Sequence, residues 1–286
     1  MRHPIILVLL AGCSFALSGC MGRDKAEVDK ALDSVNAVDA TNLSDIMLTV
    51  GDPREAVAYF TRATNEHPER IDLQRGLGKS MVRAGQAEAA IGVWTRVIAM
   101  PEGGNDDRVA LADAQIRAGK WEAAKATLNA IPPTHETFER YKLEAMVADS
   151  EKNWKKADSF YETAAGLTTR PSGVLNNWGF SKLTRGDGKG AETLFSEALS
   201  YDSTSFTTKN NLVMARAAQH KYDLPVVDMT QTERAKLLYT AALSAIKQGD
   251  VTIGKGLLQD AVDTSPVYFE EAARALEALD AGGRRG

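Results

Sequence analysis

The chain has 286 residues, 44% of them hydrophobic and 25% charged, with a formal net charge of −4. Phosphate binding needs a concentrated Lys/Arg surface, and the only basic cluster is Arg284-Arg285, so nucleic acid is excluded as the main partner. The length suits one extended domain or two compact ones.

Arg2 and His3 precede an apolar run from Pro4 to Leu17 broken only by small residues and Ser14. A charged start, a short apolar core and small residues before a cleavage site are the layout of a secretory signal. The run is shorter than the ~20 apolar residues that span a bilayer, and no later segment comes close to that length. Both cysteines of the chain lie here, in Leu10-Ala11-Gly12-Cys13 and Leu17-Ser18-Gly19-Cys20. Each stretch resembles the lipobox of bacterial lipoproteins, whose cysteine becomes the lipidated first residue. Cleavage before Cys13 leaves too little chain for a charged start plus an apolar core of ~7–15 residues, whereas cleavage before Cys20 lets Ile5 to Ala16 serve as that core. Residues 1–19 therefore read as a lipoprotein signal peptide and Cys20 as the lipidated residue, with Cys13 the alternative. The mature chain then has no other cysteine, which leaves no disulfide, thiol nucleophile or cysteine metal site. Met21 follows Cys20, and by resemblance to lipoprotein sorting in enteric bacteria this points to the periplasmic face of the outer membrane, with the lipid as the only membrane contact. Residues 20–36, rich in Asp, Lys and Ala, separate the lipid from the rest of the chain, as either a frayed helix or a tether.

From there the chain is periodic. Gly51, Gly85 and Gly119 are 34 apart, as are Ala56, Ala90 and Ala124, Leu43, Leu77 and Leu111, and the bulky set Phe60, Trp94 and Leu128. After a one-residue slip the ladder resumes at Ala157 and Ala191, Tyr161 and Phe195, and Ala164 and Ala198. A period of 34 with this pattern resembles the tetratricopeptide repeat, a helix–turn–helix unit. The small residue lets two helices approach, and the large one four positions later lies on the same face and fills the gap. The expected fold is all-α, a right-handed superhelical array of such repeats with no sheet. The array covers 37–221, as five units followed by a lone first helix, Phe206 to Lys221. There the phase breaks at "KYDLPVVDMTQTE": Pro225 and its flanking valines are poor helix, and Thr230 to Glu233 form a capping box that starts the next one. Residues 222–234 are thus an irregular connector, expected to pack back on the array or to be an edge that a partner completes. Residues 235–281 hold a last repeat and a capping helix over Tyr268 to Leu279, and 282–286 are an expected disordered tail.

No residues converge on a catalytic site, so the chain does not read as an enzyme. His67, His135 and His220 have no partner at metal-ligand spacing, and neither a metal nor a cofactor is expected. Gly78-Lys79-Ser80 ends like a phosphate loop but has Leu73 where the first glycine belongs, and Gly186 to Gly190 falls in an inter-helix turn with no preceding strand. Gly179 to Leu183 lacks the last glycine of a nucleophile elbow.

A protein-binding groove is expected along the first helices. Asn176-Asn177 and Asn210-Asn211 are 34 apart, and the second Asn of each pair is placed in that groove, where its amide can both donate to and accept from a peptide backbone. The same residue also marks the consensus of such repeats, so the pairs are read either way. Phe180 and Met214 would add an apolar floor. Arg75, Lys79 and Arg83 form a basic stripe at helical spacing, which is either a receptor for an acidic segment or a solvated face. No small-molecule substrate is implied.

"LNNWGFSKLTRGDGKGAETLFSEAL", "NNLVMARAAQ", "DLPVVDMTQTERAKLLYTAALSAIKQGD" and "IGKGLLQDAVDTSPVYFEEA" resemble the repeat lipoprotein of tight-adherence (Tad) pilus assembly systems, particularly the alphaproteobacterial form. With the lipobox, the likeness covers nearly the whole chain. It implies an outer-membrane lipoprotein that helps the system's secretin, the ring through which the pilus passes, to localise or assemble. The other reading of the same features is an adaptor that recruits a peptidoglycan enzyme or an outer-membrane assembly machine and has no link to pili.

Overall fold

A computed structural model describes residues 43–283, and the signal peptide, Cys13, Cys20, the 20–36 segment and 284–286 lie outside them. Among the described residues the chain is all-α with no strand, as its periodicity requires. It divides into two compact units, one ending at Val93 and one beginning at Trp94. None of the described helices is long and apolar enough to cross a membrane.

The repeat chemistry is visible position by position. Ala56, Ala90, Ala124, Ala157 and Ala191 are fully buried, and so are the bulky residues four later, Phe60, Trp94, Leu128, Tyr161 and Phe195. The first unit comprises α1 (43–49), α2 (Pro53–Glu66), α3 (Ile71–Arg83) and the start of α4 (Ala87–Ala99). α2 starts where the Asp52 carboxylate accepts from the backbone N–H of Arg54 at 2.8 Å and of Glu55 at 3.2 Å, with Pro53 at the first helical position. The ring of Phe60 lies under the backbone of Gly76, where a Cβ would sit 2.3 Å from Cε1.

Arg83 holds α1 in place. Its Nη1 donates to the carbonyls of Met47 and Leu48 at 2.9 and 2.8 Å, and its Nη2 to that of Gly51 at 3.0 Å. These carbonyls belong to the C-terminal end of α1, where a cation also meets the negative end of the helix dipole. Arg83→Ala is expected to cost about 1–2 kcal/mol and to speed amide hydrogen exchange in α1 more than in α2.

The second unit continues through α5 (Asn105–Arg117), α6 (Trp121–Asn129), α7 (Phe138–Ser150), α8 (Trp154–Gly166), α9 (Ser172–Thr184), α10 (Gly188–Tyr201), α11 (Phe206–Ala217), α12 (Gln231–Lys247), α13 (Val251–Thr264) and α14 (Glu270–Gly283). The turns between paired helices need a left-handed residue, supplied by Gly119 at φ +74, Gly186 at +88 and Gly249 at +92. Lys152 takes the same place at φ +58 without glycine's freedom. Lys152→Gly is expected to stabilise the protein by about 1 kcal/mol, read as a higher urea midpoint at unchanged slope.

α11 stops at Ala217, earlier than the helix expected to reach Lys221, because His220 also adopts a left-handed φ of +58. Asp250, which stands at the N-cap position of α13, accepts from the Tyr222 hydroxyl and contacts His220 Nδ1 at 2.8 Å, and gives α13 no side-chain cap. Burial and the Asp250 contact push the Tyr222 hydroxyl up to about 12. The connector packs back on the unit. Leu224 and Met229 lie against Val213, Leu237 and Ala241, and Val227 against the cluster of Phe195 and Leu212. Val226 alone of the connector's aliphatic residues is fully exposed. α12 begins at the capping box, with Glu233 N–H donating to Thr230 Oγ1 at 3.1 Å and Thr230 N–H to Glu233 Oε2 at 2.8 Å. α14 covers α13 through buried Ala272 and partly buried Ala275, Leu276 and Leu279. It begins at Glu270 rather than Tyr268, which stays exposed, and it takes in two of the residues expected in the tail.

Candidate functional site

The second unit contains an open cavity of about 500 Å³ built from five helices. First helices α7, α9 and α11 supply Met146, Asp149, Asn176, Asn177, Phe180, Ser181 and Asn211. Trp121 and Trp154 enter from the N-terminal ends of second helices α6 and α8, and Tyr161 from further along α8. Trp121 and Phe180 are among the exposed large apolar side chains of the unit. Aromatic side chains kept partly in water beside hydrogen-bonding groups form a surface suited to an extended peptide.

The asparagines divide into two kinds. Asn177 has its Nδ2 only 3.6 Å from Met146 Sδ, a weak acceptor, so its amide remains available to a ligand. Asn211 is buried and its Nδ2 donates to Asn176 Oδ1 at 3.0 Å, so this pair ties α11 to α9 across one repeat. Asn210 is turned toward α12, its Oδ1 accepting from Thr240 Oγ1 at 2.7 Å, and neither it nor Met214 lines the cavity. Arg75, Lys79 and Arg83 are not among the lining residues either; they belong to the first unit, and Arg83 is occupied by the carbonyls of α1.

Under the cavity, Asp149 accepts from Tyr161 Oη at 2.9 Å and from Ser181 Oγ at 2.7 Å. Burial pushes its carboxyl above the usual range despite these hydroxyls. A carboxyl whose folded pKa is raised holds its proton more tightly folded than unfolded. Its ionisation therefore lowers stability as pH rises through the raised value, and the cost is complete above it. Asp149→Asn is expected to be at least as stable as the parent near pH 7 and to lose this part of the pH dependence, measured as urea midpoints between about pH 4 and pH 7.

Asp158 on α8 sets the wall. Its Oδ1 accepts from Trp178 Nε1 at 2.6 Å and Arg185 Nη2 at 2.5 Å, and its Oδ2 from Lys182 Nζ at 3.2 Å. Burial acts to raise this carboxyl, but the bonds from Arg185, Trp178 and Lys182 outweigh it and hold the group below the usual range. The Arg185 guanidinium lies 5.6 Å from the centre of the Trp154 ring, so the Asp158 network positions a lining residue of the cavity.

Trp121 and Trp154 do not stand out in the residue order. Both open second helices and are 33 apart, after Gly119-Lys120 and Lys152-Asn153. That recurrence is a usable signal, but the bulky positions of the period point to the core instead. Among the described residues no group of three or more His, Cys, Asp or Glu could hold a metal ion.

Residues 42–106 match the family model described as tetratricopeptide repeat. No curated protein matches the chain. The chain is similar in structure to the Cut9–Hcn1 hetero-tetramer of the APC/C, at 15% identity and TM-score 0.60, covering 82% of this chain and 48% of that one. It thus spans about half the length of that relative. It is also similar to TTC0263, a thermophilic tetratricopeptide-repeat protein of Thermus thermophilus, at 15% identity and TM-score 0.56, covering 62% and 97%. A tetratricopeptide repeat protein from Parabacteroides merdae gives 14% identity and TM-score 0.53, covering 84% and 97%. At these identities the likeness concerns the fold. The chain is an all-α protein of the tetratricopeptide-repeat fold, with the repeat family's sequence pattern over residues 42–106, and a scaffold suited to protein–protein interaction.

Proposed function

We propose that this chain is a lipoprotein of the outer membrane, acylated at Cys20 and facing the periplasm, that uses the α7–α9–α11 cavity to bind a segment of the tight-adherence pilus secretin and so assists the ring's localisation or assembly. The observation that carries the binding part is the cavity itself, with exposed Trp121 and Phe180 beside the available amide of Asn177. The pilus part is supported by the resemblance of stretches within residues 175–272 to the repeat lipoprotein of those systems, and the anchoring part by the Leu17-Ser18-Gly19-Cys20 lipobox.

The test is a crosslinked pull-down from native outer membrane, with partners identified by mass spectrometry. Secretin among the main partners is the expected result, and a cell-wall enzyme or an assembly machine in its place overturns the pilus part. Trp121→Ala with Asn177→Ala is expected to weaken capture of the partner by about tenfold or more, since partly exposed aromatic anchors dominate such interfaces. Thermal stability should stay near that of the parent. Unchanged capture by this double variant would remove the cavity from the binding reaction.

A further inference from the structure

Asp149 is the one carboxylate that lines the α7–α9–α11 cavity, and no Lys, Arg or His stands among the lining residues. It is half-buried, and its two oxygens accept from the neutral hydroxyls of Tyr161 and Ser181. The neighbouring cations Lys182 and Arg185 are bonded to Asp158 instead, so among the described residues no cation pairs with Asp149. A carboxylate offers about four lone-pair sites, and each oxygen keeps one beyond the hydroxyl it already serves. Trp121, Trp154 and Phe180 line the same cavity, Trp121 and Phe180 with much of their surface in water. The lining is thus aromatic, with a single unneutralised negative charge.

An apolar side chain entering this cavity would strip the remaining water from the carboxylate and give it no partner in return. An acidic one would set two like charges together where water is scarce. A Lys or Arg side chain suits both parts of the lining, because its methylene stem covers apolar surface while its charged head meets the ring faces and the acceptor. The protein already seats such a group on one of these rings. The Arg185 guanidinium lies 5.6 Å from the centre of Trp154, with its charge met by Asp158 at 2.5 Å. We propose that the cavity is a cation site: it takes a Lys or Arg side chain of the partner segment among Trp121, Trp154 and Phe180, with Asp149 as the counter-charge and the Asn177 amide on the adjoining backbone. This rests on the cavity being the peptide site, as proposed, and not on which protein supplies the segment.

Protonation of Asp149 removes the counter-charge. The titratable and charged groups around it are Tyr161 and Asp158 on α8 and Arg185 on α9. Burial pushes the Tyr161 hydroxyl far up, so it remains a donor, and Asp158 is held below the usual range, while a guanidinium stays charged. Asp149, raised by burial, is the group left to titrate in mild acid. The cation prefers the ionised form, so its affinity falls as pH drops through the raised value.

Titration of the full-length chain, carrying isotope-labelled tryptophan, with capped Gly/Ser peptides tests this. The peptides differ only at the central residue, which is lysine, norleucine or glutamate; norleucine keeps an unbranched stem and lacks the charge. The indole N–H signals of Trp121 and Trp154 report binding, and Trp94, buried and outside the lining, serves as the control. The lysine peptide is expected to bind about tenfold more tightly than the norleucine peptide at neutral pH, and the glutamate peptide more weakly than either. Asp149→Asn is expected to cut the lysine advantage to about twofold or less, and a pH of about 4.5 to shrink it in the parent. Trp121→Ala should weaken the lysine and norleucine peptides together. Equal binding of lysine and norleucine, or a lysine advantage unchanged in Asp149→Asn, overturns the cation site and leaves the cavity as a peptide site. Failure of all three peptides at millimolar concentration to move either indole overturns both.

Discussion

Gly76→Ala is expected to destabilise the first unit by about 2 kcal/mol, read by chemical denaturation and by faster exchange of α2 and α3 amides. The added Cβ would meet three atoms of the Phe60 ring, at 2.3, 2.7 and 2.7 Å. Phe60 is 1% exposed and cannot swing into solvent, so the two helices must separate. That cost exceeds the ~1 kcal/mol gained by replacing a helical glycine with alanine. Gly256→Ala isolates the smaller term. This glycine lies inside α13 with nothing within 4 Å of its would-be Cβ, and the substitution is expected to stabilise by up to about 1 kcal/mol. The same substitution in two helices should thus shift stability in opposite directions. Equal signs would show that the α2–α3 approach is looser than the geometry requires.

Asp158→Ala is expected to cost about 3 kcal/mol, because it leaves an indole N–H, an ammonium and a guanidinium without their shared acceptor. Arg185 is also the group that stacks on Trp154, so the variant should weaken partner capture as well as folding. Asp158→Asn keeps an acceptor without the charge and is expected to fall between the two. The pH dependence has the opposite sign to that of Asp149. A carboxyl held below its usual range contributes stability above its unfolded pKa and loses it as pH falls through the depressed folded value. Acid should therefore unfold the parent more readily than Asp158→Asn, with both proteins measured against their own stability at neutral pH. A variant that loses stability without any change in acid sensitivity would place the cost in packing rather than in the ion network.

How much of this is legible in the residue order follows the range of each interaction. Helix–turn–helix pairing is legible because it depends on residues four apart on one face and on a turn of fixed length; Ala157 and Tyr161 sit where the period puts them. The break at Pro225 and the restart at Thr230 are legible for the same local reason. Asn177 and Asn211 both line the cavity, but whether their amides are spent is not legible in their spacing. The Asn211–Asn176 bond joins residues 35 apart, on helices whose relative rotation no local pattern states. Trp121 and Trp154 escape because a large residue at a helix start is ordinarily core, and their partial exposure depends on the neighbouring repeats.

By itself, then, the residue order determined the all-α class, the period of the repeats and the place where that period fails, since each rests on contacts within one or two helical turns. The Leu17-Ser18-Gly19-Cys20 stretch, on which the proposed lipid anchor rests, is likewise local, a matter of the few residues around Cys20. The tertiary structure alone decided which side chains share the cavity, that Arg83 serves the end of α1 rather than a binding surface, and that Asp250 answers Tyr222 and His220 rather than its own helix. Those outcomes depend on residues 28 to 36 apart competing for the same donors and acceptors. The competition is resolved only when the helices are packed.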